Sequence, residues 1–92
     1  MTTFTAKFPP GEILATPNAL AHLSQADILP AIGRHLRGDW GDVDSEDREA
    51  NERALLDGTR LFSVYHAENG TKFWIITEAD RSVTTVLLPE DY

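Results

Sequence analysis

The C-terminal stretch, residues 60–92, constrains the fold more than any other part of the chain. Residues 60–67 alternate apolar and polar side chains, and residues 72–78 are rich in aromatic and β-branched residues, as strands are. Between the two runs lie Asn69 and Gly70. Asn-Gly is a strong hairpin signal, because a type I′ turn needs positive φ at both central residues. We therefore predict a β-hairpin with Asn69 and Gly70 as its two loop residues.

A two-residue loop also predicts the register of the hairpin. His66 would lie opposite Phe73, and Tyr65 opposite Trp74. One face would then carry Phe62, Val64, Phe73 and Ile75, and the other Leu61, Tyr65, Trp74 and Ile76. Both faces are apolar, so we expect one to pack on helices. The face with the Tyr65–Trp74 pair would be covered by the N-terminal arm, by the loop around Trp40 or by another chain.

The remaining elements follow from local start and stop signals. Residues 83–88 form a third β-type run that ends at Pro89, and residues 12–16 form a short apolar strand. Thr16-Pro17 is typical of a helix start. A second helix is predicted over about residues 26–37. A third, capped by Asp44 or Ser45, is predicted to run to about Leu56 and to end at Asp57-Gly58. The prediction is an α+β fold in which a three-stranded antiparallel C-terminal sheet and a short N-terminal strand pack against two or three short helices.

Composition limits the class of protein. The 92 residues suit a single domain (1–92), with residues 1–11 as an N-terminal arm. The absence of cysteine excludes disulfide scaffolds, zinc–thiolate sites and thiol nucleophiles. No apolar run is long enough to span a bilayer, and no signal-peptide pattern is present, so we expect no membrane association and a cytoplasmic location. A net charge of −7 argues against direct binding of nucleic acid.

Most of that charge lies in one segment, residues 39–57. It contains eight acidic and two basic side chains, a net charge of −6. One interpretation is a solvated helix start, where the helix dipole favours acids. The other is an acidic face offered to a basic protein surface, with carboxylates in place of phosphates. The order Asp42-x-Asp44-x-Glu46 lacks the glycine and the final glutamate of a calcium loop, so we expect no metal.

The second interpretation defines a set of candidate partner contacts. Trp40 lies between two glycines, so its loop is expected to fold back onto the core, and its ring is also a candidate anchor for an interface. The candidate contacts are Asp39, Trp40, Asp42, Asp44, Glu46, Asp47, Glu49, Glu52, Tyr65 and Trp74.

No catalytic motif is present. His35 is expected to be a cation at the end of the second helix, and no histidine pair has metal-hydrolase spacing. The turn with Glu78, Asp80 and Arg81, together with His66, is the one polar cluster that suggests a small ribonuclease or toxin-like enzyme. A hydrogen-bonded strand turn explains the same residues. We therefore predict no catalytic residue and no cofactor.

Several segments together resemble a known family. These are Leu14-Ala15-Thr16-Pro17, Gly38-Asp39-Trp40-Gly41, Glu46-Asp47, Asn51 and the tail from Trp74 through Leu87-Leu88-Pro89. They are similar to small bacterial proteins of plasmids and conjugative elements, usually labelled "plasmid-related protein" or "type I restriction endonuclease subunit M". The chain has no glycine-rich S-adenosylmethionine loop. The resemblance implies a gene carried on mobile DNA, where small acidic proteins often antagonise host defence as anti-CRISPR or anti-restriction proteins.

These observations predict a non-enzymatic, DNA-mimicking inhibitor. Its partner would be a basic protein surface, such as that of a CRISPR or restriction nuclease complex. The alternatives are the small enzyme described above and a structural homodimer or accessory subunit joined through the sheet.

Overall fold

The computed structural model describes residues 6–92, so the first five residues of the predicted arm lie outside the described part. The strands are β1 (Glu12–Ala15), β2 (Leu61–His66), β3 (Lys72–Thr77) and β4 (Val83–Leu87). The helices are α1 (Pro17–His22), α2 (Gln25–Leu36) and α3 (Ser45–Asp57), and a short 3-10 turn, Pro89–Asp91, follows β4.

The four strands form one sheet in the order β1-β4-β3-β2. β2, β3 and β4 are antiparallel neighbours, and β1 joins the sheet beside β4 in parallel. The predicted α+β class is confirmed. The short N-terminal strand is a fourth member of the same sheet, with Ile13 paired to Thr84.

The hairpin loop differs from the prediction by one residue. The amide of Gly70 donates to the carbonyl of Ala67 (2.9 Å), and the amide of Ala67 donates to the carbonyl of Thr71 (2.9 Å). Gly70 has φ of +88°, whereas Asn69 is not among the positive-φ residues. Asn-Gly therefore occupies the end of a type I turn that closes in a glycine bulge, and the loop has three residues instead of two.

The extra loop residue shifts the register by one residue. Each residue of β2 therefore shares a face with different residues of β3 than predicted. Tyr65 lies opposite Phe73 and Val64 opposite Trp74, so the predicted pairing of Tyr65 with Trp74 is wrong. Tyr65, Phe73 and Ile75 pack in one core cluster with Ala19 of α1 and with α2, on the side we call the helix face. The opposite side, the open face, carries Phe62, Val64, Trp74 and Ile76.

The predicted helix signals mostly hold. The hydroxyl of Thr16 accepts from the Ala19 amide (3.0 Å) at the start of α1. Ser24 and Asp27 form a reciprocal capping box on α2. α3 begins at the Asp44 cap and ends at Gly58, which has φ of +72°. Pro30 lies inside α2, beyond its first turn.

The free edge of β2 is sealed by α3 and by the segment before it. The side-chain NH₂ of Asn51 on α3 donates to the Phe62 carbonyl (2.7 Å), and its side-chain oxygen accepts from the Phe62 backbone N–H (3.0 Å). The Asn51 side chain thus bonds to β2 as the backbone of a neighbouring strand would. Val64 exchanges the corresponding bonds with Trp40 and Asp42 (3.0 and 2.8 Å). A side chain at Gly41 would collide with the Val64 carbonyl, so this close approach requires glycine. α3 is therefore fixed along the sheet edge.

Replacing Asn51 with alanine should destabilise the protein by about 2–4 kcal/mol, because both polar groups of Phe62 would lose their partner in a partly buried site. Urea unfolding measures the loss, and hydrogen exchange of the Phe62 amide should accelerate. Glu49→Ala, on the exposed side of the same helix, is the matched control and should change stability by about 0.5 kcal/mol or less. Equal effects of the two substitutions would show that Asn51 does not hold the helix to the edge.

Candidate binding surface

The acidic residues around the start of α3 form the candidate surface, which we call the acidic ridge. Asp44 caps the helix by accepting from the Asp47 amide (2.8 Å). Asn51, two turns further on, holds the helix to β2, so the carboxylates are carried on a fixed element and not on a free loop. The ridge consists of Asp42, Asp44, Glu46, Asp47 and Glu49, all exposed.

Within the ridge, Glu46 and Glu49 are the freest carboxylates. They lie three residues apart on α3 and are therefore neighbours on the helix surface. Among residues 6–92, neither side chain has a hydrogen bond or an ion pair. Asp42 differs, since it accepts from Nδ1 of His66 (2.8 Å) on β2. The ridge thus retains most of its negative charge.

Two of the predicted contacts in residues 39–57 are committed to internal interactions. Asp39 forms a bidentate pair with the guanidinium of Arg34 (2.8 and 3.1 Å), and this hydrogen bonding lowers the pKa of Asp39 below its ordinary value. Glu52 accepts from the indole N–H of Trp40 (2.7 Å). We therefore do not include Asp39 and Glu52 in the acidic ridge.

Trp40 and Tyr65 do not offer the partner contacts that the sequence predicted. Trp40 is fully buried, as the predicted return of its loop to the core requires, and its ring packs near Phe8 and His35. Tyr65 is 3% exposed and donates its hydroxyl to the Asp39 carbonyl (2.6 Å). Burial raises the pKa of Tyr65 to about 12. Both rings stabilise the core and hold the loop that precedes the ridge.

Trp74, the remaining candidate, lies half-buried on the open face. Its ring makes edge-on contacts with Phe62 and Tyr92, at centroid distances of 5.0 and 5.8 Å. These three rings and Asn51 line a groove of about 320 Å³ between α3 and the sheet. Asp47 also lines the groove, so the ridge borders an aromatic surface on which Trp74 is partly exposed.

The turn after β3 holds residues in structural roles. Arg81 has φ of +61°, and its guanidinium donates to the carbonyls of Thr59 (2.6 Å) and Ala54 (3.0 Å). It therefore ties the C-terminal end of α3 to the turn. Asp80 accepts from the Ser82 amide (3.0 Å). His66 lies at the opposite end of β2, so the structure does not bring it together with Glu78, Asp80 and Arg81.

A buried chain of polar side chains runs through the helix face. The Thr84 hydroxyl donates to the Pro10 carbonyl (2.7 Å), so Thr84 accepts from the Thr77 hydroxyl (2.7 Å). Thr77 in turn accepts from Nε2 of His35 (2.9 Å), which leaves Nδ1 to accept from Ser63 (2.5 Å). Every hydroxyl proton in this arrangement has a partner when His35 is neutral.

His35 is therefore not the helix-end cation that the sequence predicted. It is fully buried, and burial, aided by the charge of Arg81, lowers the pKa of His35 from 6.5 to about 4. The sequence signal for this role was weak. One signal is that His35 lies next to Leu36, on the apolar side of α2. The other is that three strands each carry a small hydroxyl residue at an inward position: Ser63, Thr77 and Thr84.

Among residues 6–92, no group of three or more acidic, histidine or cysteine side chains is arranged to hold a metal ion. No helix in that range is long and apolar enough to cross a membrane. Comparison of the chain with protein-family models, with curated proteins and with solved structures gave no match.

His35 should make the protein less stable as the pH falls from 6.5 to 4. In that range the unfolded chain binds a proton on His35 that the folded protein excludes, so stability is full above pH 6.5 and declines by about 3 kcal/mol toward pH 4. Urea unfolding at a series of pH values measures the decline. Carboxyls with lowered pKa, such as Asp39 and Asp91, add their losses below 3.8.

The variant His35→Gln should remove this decline between pH 6.5 and 4, even if it lowers stability overall. An unchanged slope in the variant would assign the pH dependence to other groups.

Proposed function

We propose that the protein is a non-enzymatic binding protein whose acidic ridge engages a basic surface on another protein. The observation that carries the proposal is the fixed position of the ridge. α3 is bonded to the edge of β2 through Asn51, and Glu46 and Glu49 are exposed and have no hydrogen-bonding or ion-pair partner among residues 6–92. Charges that are already ordered lose little conformational freedom on binding, and they attract an oppositely charged partner over distance.

The partner class follows from the chemistry of the ridge. A surface that binds nucleic acid is basic because it neutralises phosphates, and a row of carboxylates presents the same charge. The resemblance to proteins of plasmids and conjugative elements favours a restriction or CRISPR nuclease complex in the cytoplasm. We infer that the protein inhibits such a complex by occupying its DNA-binding surface.

The enzymatic alternative has less support. The residues that suggested a small ribonuclease lie at both ends of β2, and Arg81 already donates to backbone carbonyls. The net charge of −7 also disfavours an RNA substrate.

The double substitution Glu46→Lys and Glu49→Lys should weaken binding at least about tenfold, because opposite charges at the interface would become like charges. The assay is DNA cleavage by a purified type I restriction enzyme and by a purified CRISPR nuclease, with increasing amounts of the protein. Inhibition by the native protein should also weaken as the salt concentration rises. Asp44 is left intact because it caps α3, so the fold should be preserved.

The matched control is Asp57→Lys with Glu68→Lys, which changes the net charge equally at exposed positions outside the ridge. It should inhibit as well as the native protein. Equal inhibition by the ridge variant would contradict the acidic-ridge mechanism. Failure of the native protein to inhibit either enzyme would contradict the proposed inhibition of these two classes.

A further inference from the structure

The two edges of the sheet are treated differently. The β2 edge is covered by Asn51 and the segment around Gly41. Glu12, Ile13 and Leu14 of the β1 edge are exposed, with Ile13 at 46% and Leu14 at 44%. An uncovered edge strand offers unpaired backbone groups to another strand, and proteins commonly protect such an edge with charge or proline. β1 carries only one charge.

The hydrogen bonds of β1 show which of its backbone groups have no partner among residues 6–92. The amides of Glu12 and Thr16 donate to the carbonyls of Ser82 and Val86 (both 3.0 Å), so the even-numbered residues face β4. The N–H and C=O groups of Ile13 and Ala15 therefore point away from the sheet. The apolar side chains are concentrated in the same region. Among residues 6–92, six large apolar side chains are exposed, and three of them, Ile13, Leu14 and Leu20, fall within eight residues.

We propose that β1 pairs antiparallel with β1 of a second copy of this chain, forming a continuous eight-stranded sheet. Centring the two-fold axis on Leu14 places Ile13 opposite Ala15 of the second copy, in the orientation that exchanges both backbone hydrogen bonds. Four such bonds form. The two Leu14 side chains meet across the axis on the open face, where side chains of a non-hydrogen-bonded pair approach closely.

The charges of the chain favour this edge for self-association over the other one. The acidic ridge belongs to α3 at the β2 edge, three strands from β1, or ~14 Å. Pairing through β1 therefore places the two ridges at the far ends of the dimer. One repulsion remains. It acts between Glu12 and Asp91 of the second copy. Glu12 lies opposite Thr16 of that copy, and the Thr16 hydroxyl donates to Asp91 (2.7 Å). Salt should therefore strengthen the dimer, whereas it weakens binding through the ridge.

Light scattering over a wide range of protein concentration tests the association. The native mass of 10.2 kDa should double, and the dimer should tighten as salt is added. Ile13→Pro should give a monomer at every concentration, because it removes an outward N–H and leaves the bonds to β4 intact. Ile13→Thr keeps that N–H, so it should still dimerise.

Cross-linking tests the register, since the chain has no cysteine of its own. Leu14→Cys should oxidise to a disulfide-linked dimer, because the two Cα atoms would lie about 4.5–5.5 Å apart. Glu12→Cys is the control. It is exposed on the same face, but its copies would be ~14 Å apart and should not cross-link.

A monomeric native protein, a dimer that survives Ile13→Pro, or equal cross-linking of the two cysteine variants would each overturn the proposal. None of these outcomes affects the proposed function, which depends on α3. Loss of inhibition in the ridge variant likewise leaves the β1 pairing intact.

Discussion

The two hydrogen bonds between the Asn51 side chain and the backbone of Phe62 determine how the molecule is organised. They pair the backbone N–H and C=O of Phe62 at the β2 edge. Leaving either group buried without a partner would cost about 1–3 kcal/mol. They also fix the rotation of α3, and thereby decide which of its acids face outward. The backbone of Trp40 and Gly41 covers the same edge beside Val64. The indole N–H of Trp40 also donates to Glu52 of α3.

The edge contacts divide the acids into two groups with different physical roles. Glu52, which accepts from Trp40, and Asp39, which is paired with Arg34, hold the helix and the loop in place. Among residues 6–92, Glu46 and Glu49 have no hydrogen-bonding or ion-pair partner, and with the other exposed acids of the ridge they contribute to its negative field. The segment that carries most of the net charge thus has an internal side that makes structural contacts and an external side that is exposed.

A similar division holds for the aromatic residues. Trp40 and Tyr65 lie inside, where burial and specific hydrogen bonds position the loop before α3. Trp74 lies on the open face beside Phe62 and Tyr92, next to Asp47 of the ridge. On the helix face, neutral His35 connects α2 to three strands through buried hydroxyls. That arrangement gives the core polar contacts at the cost of acid sensitivity.

Local chemistry by itself determined the elements of the fold. Thr16-Pro17, Ser24 with Asp27, Asp44 and Gly58 act within one helical turn, so capping and turn propensities locate them from the sequence. The concentration of acid in residues 39–57 is also visible there. The hairpin register was decided by tertiary structure, because Asn-Gly fits both a two-residue and a three-residue loop, and burial of Tyr65 and Phe73 on one face selects between them. The roles of Asn51 and His35 likewise depend on partners that are distant along the chain, which no local pattern specifies.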